Sequence, residues 1–207
     1  MKLVIFGSTG TIGLQLVKQA LVDGHTVTVF VREPSKVTTT HANLKVMQGD
    51  VMDVAAVEKA VLGQDAVLCS LGAGSKGTVR AEGTRNIIRA MEKASVRRFI
   101  CLSTLGVGDS WGNLSFFWKY IMFSGLLRQA YADHVRQEDY VRHSPLDWTI
   151  VRSGAFTNGS RTGEYRHGFP GTDQTKKLEI SRADVADFML KQLTDDTYLH
   201  MAPGLAY

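Results

Sequence analysis

Only two cysteines occur in the 207 residues, Cys69 and Cys101, both inside apolar stretches. Buried thiols are expected there, rather than a disulfide framework or a metal site. No apolar run reaches the length of a bilayer span, so no stable membrane insertion is expected. The first strand starts at the N-terminus itself, which leaves no stretch for a secretory leader and predicts a cytoplasmic protein. No dense lysine and arginine stripe with interleaved aromatics is present, and nucleic acid is therefore not an expected partner. The net charge of +4 is mild and suits an anionic small molecule. Nor is there a linker, repeat or low-complexity tract; with 44% hydrophobic residues the chain can bury one core, which predicts a single domain over 1–207.

What is present begins at Lys2. An apolar strand runs into Gly7, Gly10 and Gly13 and then directly into a helix carrying Ile12, Leu16, Val17, Ala20 and Leu21 on one face. Gly7 lets the chain leave the strand, Gly10 lets backbone approach a pyrophosphate, and Gly13 lets the helix pack close to the strand. Phosphates then sit at the positive end of the helix, with Thr9, Thr11 and Ile12 in the same turn. The next strand, Thr26 to Val31, ends where NAD-binding proteins place a carboxylate for the ribose. Arg32 stands there instead. A guanidinium matches the 2′-phosphate of NADP, so NADP(H) is expected over NAD(H), with Lys36 as a second positive charge. The competing reading is a solvated basic loop, which Glu33 supports.

Strands and helices alternate onward: Leu44–Gln48, a helix near 54–61, Ala66–Ser70, a helix from about Gly83 to Ala94, then Arg98–Leu102 and Asp147–Val151. That rhythm predicts an α/β, doubly wound parallel sheet, the Rossmann arrangement, with ligands beyond the carboxyl ends of the strands. Those ends carry Asp50 and Val51, Leu71, Gly72 and Ala73, Ser103 and Thr104, and Ser153, Gly154 and Phe156. Asp50 suits the adenine amino group and Val51 the ring face; equally, Asp50 or Asp53 could cap the following helix. The small residues after Ser70 admit close approach of a cofactor, or simply turn.

These motifs, together with Gln48-Gly-Asp50, Leu146-Asp-Trp-Thr-Ile-Val-Arg152 and Ile180-Ser-Arg-Ala-Asp-Val-Ala186, resemble the atypical short-chain dehydrogenases over nearly the whole chain. Within that group the chain is similar to the NmrA-like proteins and to the biliverdin reductase B/flavin reductase type. The resemblance implies NADPH use, an open site, and Ser103 at the active-site serine position, orienting substrate or the nicotinamide carboxamide. Ser103 could also merely terminate its strand.

One family feature is missing. No Tyr-x-x-x-Lys occurs. Spacing back from Leu146 aligns His134 with the lysine and Ala130 with the tyrosine, leaving Tyr131 rotated by about 100 degrees on a helix. Carbonyl chemistry with a phenolic acid is disfavoured, whereas hydride transfer to a stacked conjugated acceptor needs no such acid. His134 lies four residues before Glu138; pairing with it would raise the imidazole pKa and make a proton donor. A surface pair or satisfied histidine is the plainer reading, given Asp133 and Arg136 alongside.

Trp111 to Leu127 is dense in aromatics. With Met122 it could wall a pocket for a planar acceptor, form a homodimer or protein interface, or touch a membrane surface. The substrate region is expected from 105–130 and 153–180. Farther on, Ser181 is expected to cap a helix burying Val185, Phe188, Met189 and Leu193, Arg182 and Asp184 to make structural contacts, and Gly163 to Gly171 to form an irregular hairpin. Three functional classes follow: an NADPH-dependent reductase of a flavin, tetrapyrrole or quinone; an NADP(H)-holding module that reports redox state to a partner; and, less favoured, a sugar-nucleotide epimerase or lyase.

Overall fold

Leu3 and Ile5 project to one side of the first strand and Val4 and Phe6 to the other, and all four are fully buried. A strand buried on both sides belongs to a sheet covered by helices on both faces. The computed structural model describes residues 1–72, 78–173 and 178–207 and has this architecture. Ala73 lies outside the described residues.

The chain alternates β1 (Lys2–Phe6), α1 (Thr11–Val22), β2 (Thr26–Val31), β3 (Leu44–Gln48), α2 (Val54–Val61), β4 (Ala66–Cys69), α3 (Val79–Ala94) and β5 (Arg98–Thr104). A π-helical stretch, Phe117–Leu126, leads into α4 (Arg128–Arg142) and β6 (Asp147–Ser153). Then come β7 (Ala155–Thr157), β8 (Arg166–His167), β9 (Glu179–Ser181), α5 (Arg182–Lys191) and β10 (Gly204–Ala206). The main sheet has the order β3-β2-β1-β4-β5-β6-β10-β8, parallel except for β8, and β7 pairs with β9 beside it. Strand order reverses between β1 and β4, which places a crevice beyond their carboxyl ends.

Two apolar layers fill the faces. Leu16, Val17 and Ala20 of α1 join Val185, Phe188 and Met189 of α5 on one; Val57 of α2, Ile87 and Met91 of α3 and Val141 of α4 cover the other. Ser181 caps α5 by accepting from the Asp184 amide, and Val185, Phe188, Met189 and Leu193 are buried, as expected. Asp184 also ties down residues 162–163 and the Tyr207 hydroxyl. Cys69 and Cys101 face each other across β4 and β5 as buried, free thiols.

Two expectations are corrected. Helix α3 starts at Val79, not near Gly83; Gly83 sits inside the helix because a Cβ there would meet the Val51 side chain at 2.8 Å. The stretch 163–171 forms no local hairpin, since β8 pairs antiparallel with β10 at the end of the chain. Among the described residues, no helix is long and apolar enough to cross a membrane.

Candidate cofactor and substrate cavity

A cavity of about 770 Å³ opens at the strand-order reversal. The glycine turn forms its floor. Gly7 has φ +80, and a Cβ on it would lie 2.4 Å from the Ser70 carbonyl oxygen; on Gly13 it would lie 2.1 Å from the Gly7 oxygen. Gly7 therefore frees the turn and Gly13 brings α1 against it, while Gly13 itself does not border the cavity. Gly10 caps α1 without a side-chain hydrogen bond, and no acidic residue occupies the first turn. By contrast, Asp53 caps α2 by accepting from the Ala55 and Ala56 amides. The first-turn amides of α1 thus have no capping side chain, and Thr9, Thr11 and Ile12 border the space they face. These residues fit a diphosphate.

Arg32, Asp50 and Val51 line the end of the cavity where β2 and β3 stop. Asp50 accepts from the Met52 amide and leaves helix capping to Asp53. Lys36 is not there: its ammonium pairs with Glu33 at 2.9 Å outside the cavity. With Lys36 held by Glu33, Arg32 is the basic side chain at this end among the described residues. Ser70, Leu71, Gly72 and Arg80 form the middle. Arg80 is buried, donating to the Leu71 carbonyl and to Asp133, whose other oxygen accepts from the Ala81 amide.

Ser103, Thr104, Ser153, Gly154 and Phe156 close the far end. The Ser103 hydroxyl donates to Glu138 Oε1 at 2.7 Å. Arg152, 1% exposed, donates to both Glu138 oxygens at 3.0 and 2.8 Å and also holds Asp109. Burial opposes the charge on Arg152, but Glu138 and Asp109 outweigh it and raise its pKa. Sequence reasoning missed this buried pair, because residues 138 and 152 meet only through packing of α4 on β6.

Leu127, Ala130, Tyr131 and His134 line the cavity as one helical face, spaced i, i+3, i+4, i+7. Tyr131 is therefore on the cavity, where alignment alone had turned it away; that spacing was the available signal. It is not activated as an acid, since its hydroxyl donates to the Gly106 carbonyl and burial raises its pKa. His134 does not pair with Glu138, which is committed to Ser103 and Arg152. Burial and the Arg80 charge push its imidazole down to about 3, against a small opposing effect of Gln137, and Nδ1 is buried without a partner. The alternative of a proton donor raised by Glu138 is thereby overturned, and the plainer reading of a surface pair or satisfied histidine does not hold for Nδ1 either.

Leu114, Trp118 and Phe123 complete the apolar wall. Phe123 packs on Tyr131 and Trp118, with ring centroids 5.1 and 5.8 Å apart. Phe116, Phe117, Tyr120, Ile121 and Leu126 face outward instead, each at least 52% exposed. Arg182 stands over the Phe156 ring and donates to the Thr157 carbonyl, Tyr165 and Lys191 meet at Asp187, and His167 packs in an aromatic cluster with Tyr198 away from the cavity.

The glycine turn, the uncapped helix and the strand-end cavity now stand together. The chain belongs to the NAD(P)H-binding family. The family's model matches residues 7–196. The oxidoreductase ylbE of Lactococcus lactis is 27% identical, with a TM-score of 0.85 over 99% of this chain and 90% of that one. A wide-type short-chain dehydrogenase/reductase of Veillonella parvula, solved in complex with NADP, is 21% identical with a TM-score of 0.82, covering 100% and 94% of the two chains. ChuY, an anaerobillin reductase of Escherichia coli O157:H7, is 24% identical with a TM-score of 0.80, covering 99% and 96%. This NAD(P)H-binding chain thus has an oxidoreductase fold.

Proposed function

We propose that the protein is an NADPH-dependent reductase that passes hydride to a planar conjugated acceptor: a flavin, a tetrapyrrole or a quinone. The observation that carries this reading is the far end of the cavity, lined by Trp118, Phe123, Tyr131 and Ser103, where among the described residues no side chain is poised as an acid. Tyr131 spends its proton on a carbonyl, His134 is neutral, and Ser103 donates to Glu138. A ketone or alcohol reaction would need an acid in that position, whereas a stacked conjugated acceptor can take its proton from solvent.

The bound dinucleotide supplies the hydride. Gly7 to Ile12 and the first turn of α1 would hold its diphosphate, Arg32 its 2′-phosphate, and Asp50 and Val51 the adenine. Leu105, Leu114, Trp118 and Phe123 on one side and Ser153, Gly154, Phe156 and Leu178 on the other would enclose the acceptor and exclude water from the transfer. The NADP complex and the anaerobillin reductase among the structural relatives support the same assignment.

Oxidation of NADPH, with NADH in parallel, is to be followed with FMN, riboflavin, biliverdin and menadione. Saturable, NADPH-preferring turnover with one of them is expected. Tight NADPH binding without turnover on any would favour a second reading, a redox-reporting module, for which the outward row Phe116, Phe117, Tyr120, Ile121 and Leu126 supplies a docking face for a partner or a second copy.

A further inference from the structure

The π-helical stretch divides its apolar residues between two sides. Trp118 and Phe123 line the cavity, with Leu114 and Leu127 packed in the same cluster. Phe116, Phe117, Tyr120, Ile121 and Leu126 lie on the other side and are 71, 52, 58, 52 and 75% exposed. Their spacings of four and five residues set them along one face of a helix whose bonds span five residues. The Phe116 and Tyr120 rings have centroids 4.8 Å apart, so these side chains form a patch. Single exposed apolar residues are ordinary on a protein surface, whereas a contiguous row of them marks a docking surface.

The charges beside the row identify what it docks on. From 110 to 132 the sequence holds two charged residues, Lys119 and Arg128, and no carboxylate. Arg128 is exposed, and neither cation makes an ion pair among the described residues. The acidic residues that bracket the stretch are committed elsewhere, Asp109 to Arg152 and Asp133 to Arg80. Two copies meeting through this stretch would bring the same two cations to both sides and no carboxylate to meet them. A bilayer surface with anionic headgroups supplies what the stretch lacks: phosphates for Lys119 and Arg128, and an acyl boundary for the rings. Tyrosine and lysine both suit such a boundary, with the apolar body toward the acyl chains and the polar tip among the headgroups.

We propose that the outer face of 116–126 docks the protein on anionic membrane surfaces, lying in the headgroup region without crossing the bilayer. The attachment is independent of the reductase reading, since none of the five exposed residues lines the cavity. One helix then separates the cavity from the lipid.

Flotation of the purified protein with vesicles of phosphatidylcholine, alone or mixed with phosphatidylglycerol in about equal parts, tests this. Binding at least about tenfold tighter to the anionic vesicles is expected, weakening as salt screens the exposed charges. Phe117→Ser with Ile121→Ser should reduce that binding by about tenfold or more, because it removes the inserted apolar surface. Lys119→Glu with Arg128→Glu should abolish the preference for anionic vesicles. Both double variants should keep the NADPH affinity of the unaltered protein, which reports an intact fold. No binding to either vesicle, equal binding to both, or binding undiminished in the Phe117→Ser, Ile121→Ser variant would each overturn the proposal. So would a dimer in light scattering that the same variant dissolves, which would assign the face to a second copy. The reductase reading fails on a separate result: NADPH bound and no acceptor reduced, whatever the vesicles show.

Discussion

The surroundings of the imidazole at position 134 keep it uncharged. An unfolded chain protonates this histidine near 6.5, whereas burial and Arg80 delay protonation in the folded protein to about 3. Between those values the unfolded chain binds more protons, so the fold loses stability as the pH drops below 6.5, by at most about 1.4 kcal/mol per pH unit. His134→Gln should therefore lose less melting temperature than the unaltered protein between pH 7 and pH 5. Matching losses would mean that the imidazole titrates freely. At Gly7 the constraint is steric: positive φ and a backbone carbonyl 2.4 Å from any Cβ. Gly7→Ala should cost more than about 2 kcal/mol in a denaturant titration and weaken cofactor binding with it.

The π-helical stretch Phe117–Leu126 divides its aromatics in a way that α-helical spacing would not. In an α-helix, residues five apart point about 140 degrees away from each other. Here the Leu127 amide reaches back five residues to the Met122 carbonyl, and Trp118 and Phe123, also five apart, pack as tilted rings with centroids 5.8 Å apart on the cavity wall. Such windings are rare and concentrate at functional sites. The consequence is a sharp distinction between neighbours. Trp118→Ala should reduce kcat/KM for the acceptor by about tenfold or more with little change in NADPH affinity, because it removes a half-buried aromatic surface from the cavity wall. Phe117→Ala, on the outer face, should leave turnover close to normal; the opposite ranking in steady-state kinetics would relocate the acceptor.

For the molecule as a whole, the reversal of strand order gathers residues from distant parts of the sequence around one cavity. Arg32 and Ser103 both lie on it, at ends set by β2 and β5. Glu33 is paired with Lys36, so on the proposed reading any preference for the 2′-phosphate rests on Arg32 among the described residues. Arg32→Asp should weaken NADPH by at least about tenfold in calorimetric titration and spare NADH, whereas Lys36→Ala should change little. Equal losses for the two dinucleotides would remove the 2′-phosphate from Arg32.

Local patterning carried much of this protein. The β-branched strand at 26–31, the glycine turn and the cap at Ser181 depend on near neighbours, and they determined the parallel α/β sheet, the dinucleotide turn and the strand ends that border the cavity. Asp53 as the cap of α2 was legible for the same reason. What only the tertiary structure decided are the contacts between elements far apart in sequence: Glu138 drawn to Arg152 rather than to His134, Arg80 locked to Asp133, β8 joined to the last strand. The winding of 117–126 also belongs there, since a 3.6-residue period cannot reveal a five-residue one. Charge pairing and burial follow from which surfaces meet, and a linear spacing of residues specifies only part of that.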